Sequence, residues 1–175
     1  MLWTGTILLS LFLYHERHTR AAILPLEIFH NLTFSMSNLA SLIHYSSTYA
    51  VSFLLSLHLQ VILHISASLT GTIMLAQPIM MALLSPRAGA LADKYGPRYV
   101  ATIGITMTAT GLAIFALLPD ISVKTIVLLL LLLGLGAALF GAPNNSAIMS
   151  AVPEAQQGTA SSMLALARNF GQAAS

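Results

Sequence analysis

Long stretches of this sequence contain no charged residue. The longest runs from Ile28 to Pro86, and two others run from Tyr99 to Pro119 and from Thr125 to Pro153. A helix needs about 20 residues to cross the ~30 Å hydrocarbon core of a bilayer, so each interval can hold one crossing and the first can hold two. A backbone in lipid must satisfy its own hydrogen bonds, which favours helices. The sequence therefore predicts an all-α, polytopic transmembrane helical bundle.

The composition supports a membrane protein and excludes several other classes. Only 7% of the residues are charged and the mean hydropathy is +0.83, whereas soluble domains carry roughly 25% charged residues. The net charge of +2 comes from basic residues spread over loops, so we expect no nucleic-acid partner. Cysteine is absent, which excludes disulfides and thiolate metal sites. The lipid bilayer is the first partner that the sequence predicts.

The apolar intervals divide the chain into candidate membrane segments. Met1 to Tyr14 would extend only ~21 Å as a helix, too short to cross a bilayer. The apolar segment at the C-terminal end is also too short to cross. Both ends therefore predict helices that are cut, and we expect the chain to be a fragment. Pro78 falls inside the second full span, where it predicts a kink. The predicted segments are the trailing part of a transmembrane helix at 1–14, a cytoplasmic loop and interfacial helix at 15–30, transmembrane helices at 31–63, 67–85, 97–118 and 122–150, a cytoplasmic loop at 86–98, and the start of a truncated transmembrane helix at 158–175.

Basic residues are distributed unevenly between the two sides of this layout. Only Lys124 lies on one side, and the other side carries Arg17, Arg20, Arg87, Lys94 and Arg98. Cytoplasmic loops carry an excess of Lys and Arg. The sequence therefore predicts that the loops at 15–20, 86–98 and 152–158 are cytoplasmic and that the turns at 64–66 and 119–123 are external.

Three of the charged residues gather in residues 89–98, which read GALADKYGPR. Gly89 has no side chain, so two helix ends can approach closely there, and Gly96 can take the positive φ of a tight reversal. Pro97 suits the first turn of the next helix. Asp93 lies near the positive end of that helix dipole, and its predicted ion-pair partners are Lys94 and Arg98. The alternative to a specialised hinge is an ordinary charged loop that follows the positive-inside rule.

This stretch resembles the G-x-x-x-D-[RK]-x-G-[RK]-[RK] motif of the major facilitator superfamily, which in that family joins the second and third helices of each six-helix half. Pro97 departs from the motif, because it replaces a basic residue. Residues 25–60 resemble the opening helix of the second half in the fourteen-helix drug:proton antiporter branch. Residues 134–172 resemble the later helices of that half, including a turn marked by Val152, Pro153, Gly158, Ala160 and Ser161.

The resemblance implies part of the C-terminal half of a major-facilitator fold, in the plasma membrane. The full-length parent would export drugs or small organic compounds in exchange for protons, so its partners would be a small-molecule substrate, protons and the missing N-terminal half. No cofactor and no catalytic residue is implied, because such transport makes no covalent bond. The motif residues implied to act as a conformational switch are Gly89, Asp93, Lys94, Gly96 and Arg98.

Polar residues recur along one face of the first full span, at intervals of three and four residues. In a transporter this face is a candidate lining of the central cavity; the alternative is that its small polar groups mediate helix packing. The candidate cavity-lining residues are Asn38, Ser41, Tyr45, Thr48 and Ser52.

The fourth span carries small residues at intervals of four, at Gly134 and Ala138 and at Ala137 and Gly141, which predict close helix packing. Pro143 in the same span predicts either a bending point or a static kink. Arg168 in the last helix is interpreted as an interfacial anchor rather than a substrate contact.

Two other classes remain open at this point. Six histidines raise the possibility of a membrane metalloenzyme. His44 and His58 share a helical face, but ~21 Å of rise separates them, so we expect no metal site. A stand-alone small membrane protein that oligomerises or binds a partner subunit is the alternative to a transporter fragment.

Overall fold

A computed structural model describes residues 26–118 and 121–175, and those residues form helices joined by short turns, with no strand among them. A 3₁₀ turn at Leu26–His30 comes first. The α-helices of the described residues are α1 (Leu32–Leu57), α2 (Ala67–Met74), α3 (Ala76–Tyr95), α4 (Pro97–Leu117), α5 (Val123–Ser150) and α6 (Gln157–Ala174). A π-helical turn at His58–Ile62 continues α1, and a 3₁₀ turn at Glu154–Gln156 precedes α6. The predicted all-α class is confirmed, while the segment predicted at 1–14 lies outside the described residues.

Three helices of the described chain are long and apolar enough to cross a membrane. They are the α2–α3 pair taken together, Ala67–Tyr95, then α4 and α5. The 26-residue α1 is not among them. Its sequence contains polar residues that are buried against neighbouring helices, namely Asn38, Ser41, His44 and Thr48. A helix of that kind can lie within a bundle without being apolar on every side.

The break between α2 and α3 lies one turn before Pro78. Ser66 caps α2, because its side chain accepts a hydrogen bond from the Leu69 N–H at 3.4 Å. Pro78 has no N–H to donate to the carbonyl of Met74, and its ring crowds that carbonyl. The regular helix is accordingly interrupted at Leu75. The predicted kink is confirmed at this point.

The loop predicted at 86–98 is wrong, because the real connection is much shorter. Helix α3 continues through Pro86 to Tyr95, and only Gly96 separates it from α4. Gly96 has φ 93° and Pro97 is the first residue of α4, as predicted. The charged residues do not end the helix because they lie in exposed positions near its terminus, where water can reach them without any loop.

Helix α5 is the centre of the bundle, and glycines let its neighbours pack directly against its backbone. A Cβ on Gly104 of α4 would lie 2.5 Å from the backbone nitrogen of Phe140 and 2.7 Å from the carbonyl oxygen of Gly136. A Cβ on Gly134 would lie 2.5 Å from the carbonyl oxygen of Gln77 in α3. The close packing predicted at Gly134 is confirmed, whereas Gly104 and Gly136 were not singled out by the sequence.

Contacts along α5 show how the helices run relative to one another. The Asn31 side chain, before α1, donates a 2.9 Å hydrogen bond to the carbonyl of Ala151, after α5. At the opposite end of the bundle, Leu59 and Ile126 belong to one buried apolar cluster. Helices α1 and α5 are therefore antiparallel.

Helix α3 runs in the same direction as α5. Gln77 lies beside Gly134, and Met81 lies beside Gly141 further along both helices. The turn at Gly96 therefore lies at the same end of the bundle as the turn after α5. This agrees with the grouping of the 86–98 and 152–158 segments on one side; that this side is cytoplasmic stays a prediction.

We expect Gly104→Ala to lower the stability of the bundle by about 1–3 kcal/mol, because the added methyl group must push two backbones apart. Gly71→Ala is the matched control, since nothing lies within 4 Å of a Cβ at Gly71, and alanine there should raise stability by up to about 1 kcal/mol through helix propensity. Thermal melts of the detergent-purified protein, followed by circular dichroism at 222 nm, measure both changes. Equal melting temperatures for the two variants would contradict the close-packing argument.

Candidate functional site

Polar side chains of the bundle come together where α1, α5 and α6 meet. The Asn144 side chain of α5 is buried and donates to the Ser41 hydroxyl of α1 at 2.8 Å and to the Ser37 carbonyl at 3.3 Å. Pro143, the residue before it, is also fully buried. The asparagine thus ties α5 to α1 at the position where proline removes one backbone hydrogen bond from α5. This arrangement favours the static kink over the bending point.

Arg168 of α6 lies against both of the other helices. One Nη donates to the Asn145 Oδ1 of α5 at 2.8 Å, and the guanidinium carbon lies 5.2 Å from the centroid of the Tyr45 ring of α1. That distance is within the range of a cation–π interaction. The Nε of Arg168 is buried and has no hydrogen-bond partner among the described residues.

That Arg168 is an interfacial anchor stays a prediction, and the structure adds its contacts with α1 and α5. Arg168 lies eleven residues after the start of α6 at Gln157, which is about 16 Å along the helix axis. Helical side chains lean toward the N-terminus of their own helix, and the guanidinium accordingly lies level with Asn145, five residues before the end of α5 at Ser150, which is about 8 Å from that end.

A cavity of about 440 Å³ adjoins this arginine, and we name it the arginine cavity. It lies between α5 and α6 and is lined by Asn145, Met149, Ser161, Leu164, Ala165, Arg168, Asn169 and Gln172. The acidic residues of the described chain are Glu27, Asp93 and Glu154, all of them exposed, and none forms an ion pair with Arg168. The cavity is therefore positively charged and rich in neutral hydrogen-bonding groups.

The polar face of α1 is used mainly for packing in the described chain. Asn38, Ser41 and Thr48 are buried, and Tyr45 and Ser52 are partly buried. Three of these side chains donate to carbonyls of their own helix: Asn38 to Phe34 at 2.9 Å, Thr48 to His44 at 2.8 Å and Ser52 to Thr48 at 3.0 Å. Tyr45 differs, since its ring contacts Arg168. That the whole face lines a transport cavity stays a prediction.

The predicted contacts of the charged hairpin are not formed within the described residues. A Cβ on Gly89 would find nothing within 4 Å. Asp93 is exposed in the last turn of α3, and no ion pair joins it to another described residue. This carboxylate lies at the negative end of the α3 dipole, so the expected stabilisation by the next helix does not follow. Lys94 lies 5.1 Å from the ring centroid of Tyr95.

A second cavity and the histidines lie apart from the arginine cavity. An apolar cavity of about 690 Å³ opens at the other end of the bundle, between residues 51–62 of α1 and its π-helical turn and residues 112–118 of α4. Among residues 26–118 and 121–175, no three His, Asp or Glu side chains come together in a way that could hold a metal ion. His44 instead packs against Phe140, with their ring centroids 4.6 Å apart.

Comparison with known proteins decides the family. The profile of the Major Facilitator Superfamily matches residues 38–175, which include all but the first six residues of α1 and every later helix. The chain belongs to the major facilitator superfamily. Since this family consists of transporters and the described helices are apolar, the protein is an integral membrane protein.

Relatives from this family are named as transporters. The chain is 33% identical over 168 residues to the riboflavin transporter RibZ of Clostridioides difficile, covering 95% of this chain and 37% of that protein. It is 27% identical over 171 residues to the multidrug resistance protein Stp of Mycobacterium tuberculosis, covering 98% of this chain and 32% of that protein. It is 24% identical over 168 residues to the multidrug efflux pump LfrA of Mycolicibacterium smegmatis, covering 95% of this chain and 33% of that protein.

The chain thus spans about a third of the length of these curated relatives. No solved structure matches it significantly. The contacts of Arg168 with Asn145 and Tyr45 were not predicted. One signal could have found them, because an ionisable residue inside a membrane helix usually faces the interior of a bundle.

We expect Asn144→Leu to lower stability by about 1 kcal/mol, because two interhelical hydrogen bonds worth about 0.6 kcal/mol each are lost within the membrane. Asn169→Leu is the matched control, since Asn169 is exposed and forms no hydrogen bond through its side chain to another described residue. Unfolding by titration with sodium dodecyl sulfate measures the difference. A loss at Asn169 as large as that at Asn144 would show that the bonds to Ser37 and Ser41 contribute nothing.

Proposed function

We propose that this chain forms part of the second half of a transporter that exports small organic compounds from the cell in exchange for protons. The observation that carries the proposal is the arginine cavity, which is a charged, partly polar space between helices of an otherwise apolar bundle. Transporter sites of this kind lie near the middle of the membrane, between helices that rock around them. Membership of the family supports the same activity.

The class of substrate is proposed from the relatives and from the site. The relatives' names refer to riboflavin and to multiple drugs, which are organic compounds of moderate size. The arginine cavity measures about 440 Å³, within the ~300–1,000 Å³ of typical ligand pockets. We therefore propose a drug-sized organic compound, part of which occupies this cavity.

Proton coupling requires a group that titrates within the membrane. The described acidic residues are exposed and lie near helix ends, outside the α1–α5–α6 cluster. We therefore propose that the coupling carboxylate belongs to an N-terminal half, with which this chain assembles in the plasma membrane. Large exposed apolar side chains such as Phe53 and Leu54, each 61% exposed, are available to lipid or to that half.

Transport is tested with the full-length protein that contains this chain, expressed in bacteria that lack their main efflux pumps. We expect these cells to accumulate several-fold less ethidium or riboflavin than cells without the protein. A protonophore should abolish this difference, because the proton gradient drives export. Fluorescence of the cells measures accumulation. The control is the 175-residue chain alone, expressed to the same level.

Export by the 175-residue chain alone would favour the stand-alone membrane protein instead. Unchanged accumulation of both compounds in cells that hold the full-length protein in the membrane would contradict the transporter proposal. Export that persists with the protonophore would contradict the antiport mechanism only.

The charged hairpin is proposed as the conformational switch of the transporter. Asp93, Lys94 and Arg98 are exposed and lack ion pairs within the described chain, so they are free to contact the N-terminal half in one state. Gly89 likewise faces open space, which leaves room for a helix of that half to approach. Gly96 is the pivot, since it is the single residue between α3 and α4.

We expect Asp93→Asn in the full-length protein to lower the transport rate several-fold while substrate affinity is kept, because losing from one state an ion pair with the N-terminal half, worth up to about 1 kcal/mol, shifts a balanced equilibrium several-fold. Initial rates of ethidium efflux over a range of concentrations separate the two effects. Glu154→Gln is the matched control, since Glu154 is an exposed acid at the same end of the bundle. A normal rate for Asp93→Asn in a stably inserted protein would show that the hairpin acts only as a topological anchor.

A further inference from the structure

The guanidinium of Arg168 lies between the helices of the bundle, level with Asn145 of α5. Arg168 itself lies about 16 Å along α6, and Asn145 lies about 8 Å before the end of α5 at Ser150. Charged residues within membrane helices are costly and usually mark a functional site. A purely structural arginine would be expected to have a carboxylate partner, and none of the described residues supplies one.

The hydrogen-bonding capacity of this side chain is mostly unused. An arginine has five N–H donors, and within the described chain Arg168 donates only to Asn145. The Nε is buried without a partner. The Nη groups hold further donors beyond the one that Asn145 accepts, and Arg168 lines the arginine cavity, so a ligand there can accept from donors that the protein leaves unpaired.

Tyr45 and Asn145 fix the orientation of the guanidinium. The aromatic ring lies 5.2 Å from its central carbon, and Asn145 holds one Nη at 2.8 Å. The guanidinium is therefore held in place beside the cavity before a ligand arrives. Around it, the side chains of Ser161, Asn169 and Gln172 line the same cavity and form no hydrogen bonds to described residues.

We propose that the arginine cavity binds an anionic group, a carboxylate or a phosphate, and that this group belongs to the transported compound. That the anion belongs to a transported compound rests on the proposed function, whereas the anion site itself does not. The planar donor edge of arginine matches these anions better than any other side chain does. A second source of the same chemistry is a lipid phosphate, because the cavity extends to Met149 near the end of α5 and to Ser161 near the start of α6.

Binding is tested on the full-length protein in a neutral detergent, by fluorescence anisotropy with two xanthene dyes of opposite charge. Fluorescein carries a carboxylate, whereas rhodamine 123 is its cationic counterpart. We expect Arg168→Gln to weaken fluorescein binding about tenfold or more, since a charge-assisted hydrogen bond is lost, and to leave rhodamine 123 binding unchanged or tighter. Arg168→Lys keeps the charge and should restore part of the affinity.

The matched control is Arg87→Gln, which removes an exposed arginine of α3 and should leave the binding of both dyes unchanged. If Arg168→Gln does not fold, Arg168→Lys decides: it should still fold and should bind fluorescein several-fold more weakly than the native protein, because it lacks the planar donor edge. Fluorescein affinity that is unchanged in either folded variant overturns the proposal. An equal loss of both dyes also overturns it, because the arginine would then act on the fold alone.

Adding phosphatidylglycerol or phosphatidylcholine to the micelles distinguishes the two sources of the anion. Displacement of fluorescein by phosphatidylglycerol alone would assign the site to a lipid phosphate and overturn the role in transport. No displacement by either lipid supports the transported compound. Because binding is measured without transport, Arg168-dependent binding together with unchanged cell accumulation would refute the proposed function and keep the anion site.

Discussion

The direct contact of two backbones at Gly104 and Gly136 is the constraint on which the bundle depends. Within lipid, no hydrophobic force drives helices together, so close van der Waals packing must do so. A Cβ on either glycine would lie within 2.5 Å of an atom of the other helix, so no side chain fits between α4 and α5. Gly134 likewise lets the backbone of α3 contact α5 directly. With α3 and α4 packed against α5 in this way, the remaining surface of α5 is left for α1 and α6.

That division explains where the polar groups lie. The α4–α5 crossing consists of glycines and one threonine, Thr108, whose hydroxyl bonds to its own helix at 3.1 Å. The side chains that need partners from other helices, Asn144 and Arg168, both lie on the α1–α6 side. The interhelical polar contacts therefore lie on the side of α5 that faces α1 and α6, and the arginine cavity belongs to that side.

Local chemistry could be predicted from the sequence because its causes lie within a few residues. The positive φ of Gly96, the start of α4 at Pro97 and the cap at Ser66 are of this kind. The bond between Asn144 and Ser41 joins residues 103 positions apart, and no local pattern shows which asparagine will face which serine. The predicted loop at 86–98 is wrong for a different reason, since charged residues fit an exposed helix end as well as they fit a loop. The contacts of Arg168 with Tyr45 and Asn145 likewise join residues that are far apart in the sequence.

The single residue between α3 and α4 also sets the axial register of the whole packing. With only Gly96 between them, α3 and α4 cannot slide past each other along their axes. The contact of Gln77 with Gly134 therefore also determines the height at which Gly104 meets Gly136. One inserted residue within α4 before Gly104 would advance the helix by about 1.5 Å and rotate it by about 100°. That rotation would turn Gly104 away from α5 and bring a residue with a side chain in its place. The length of this connection is therefore as much a part of the packing as the glycines themselves.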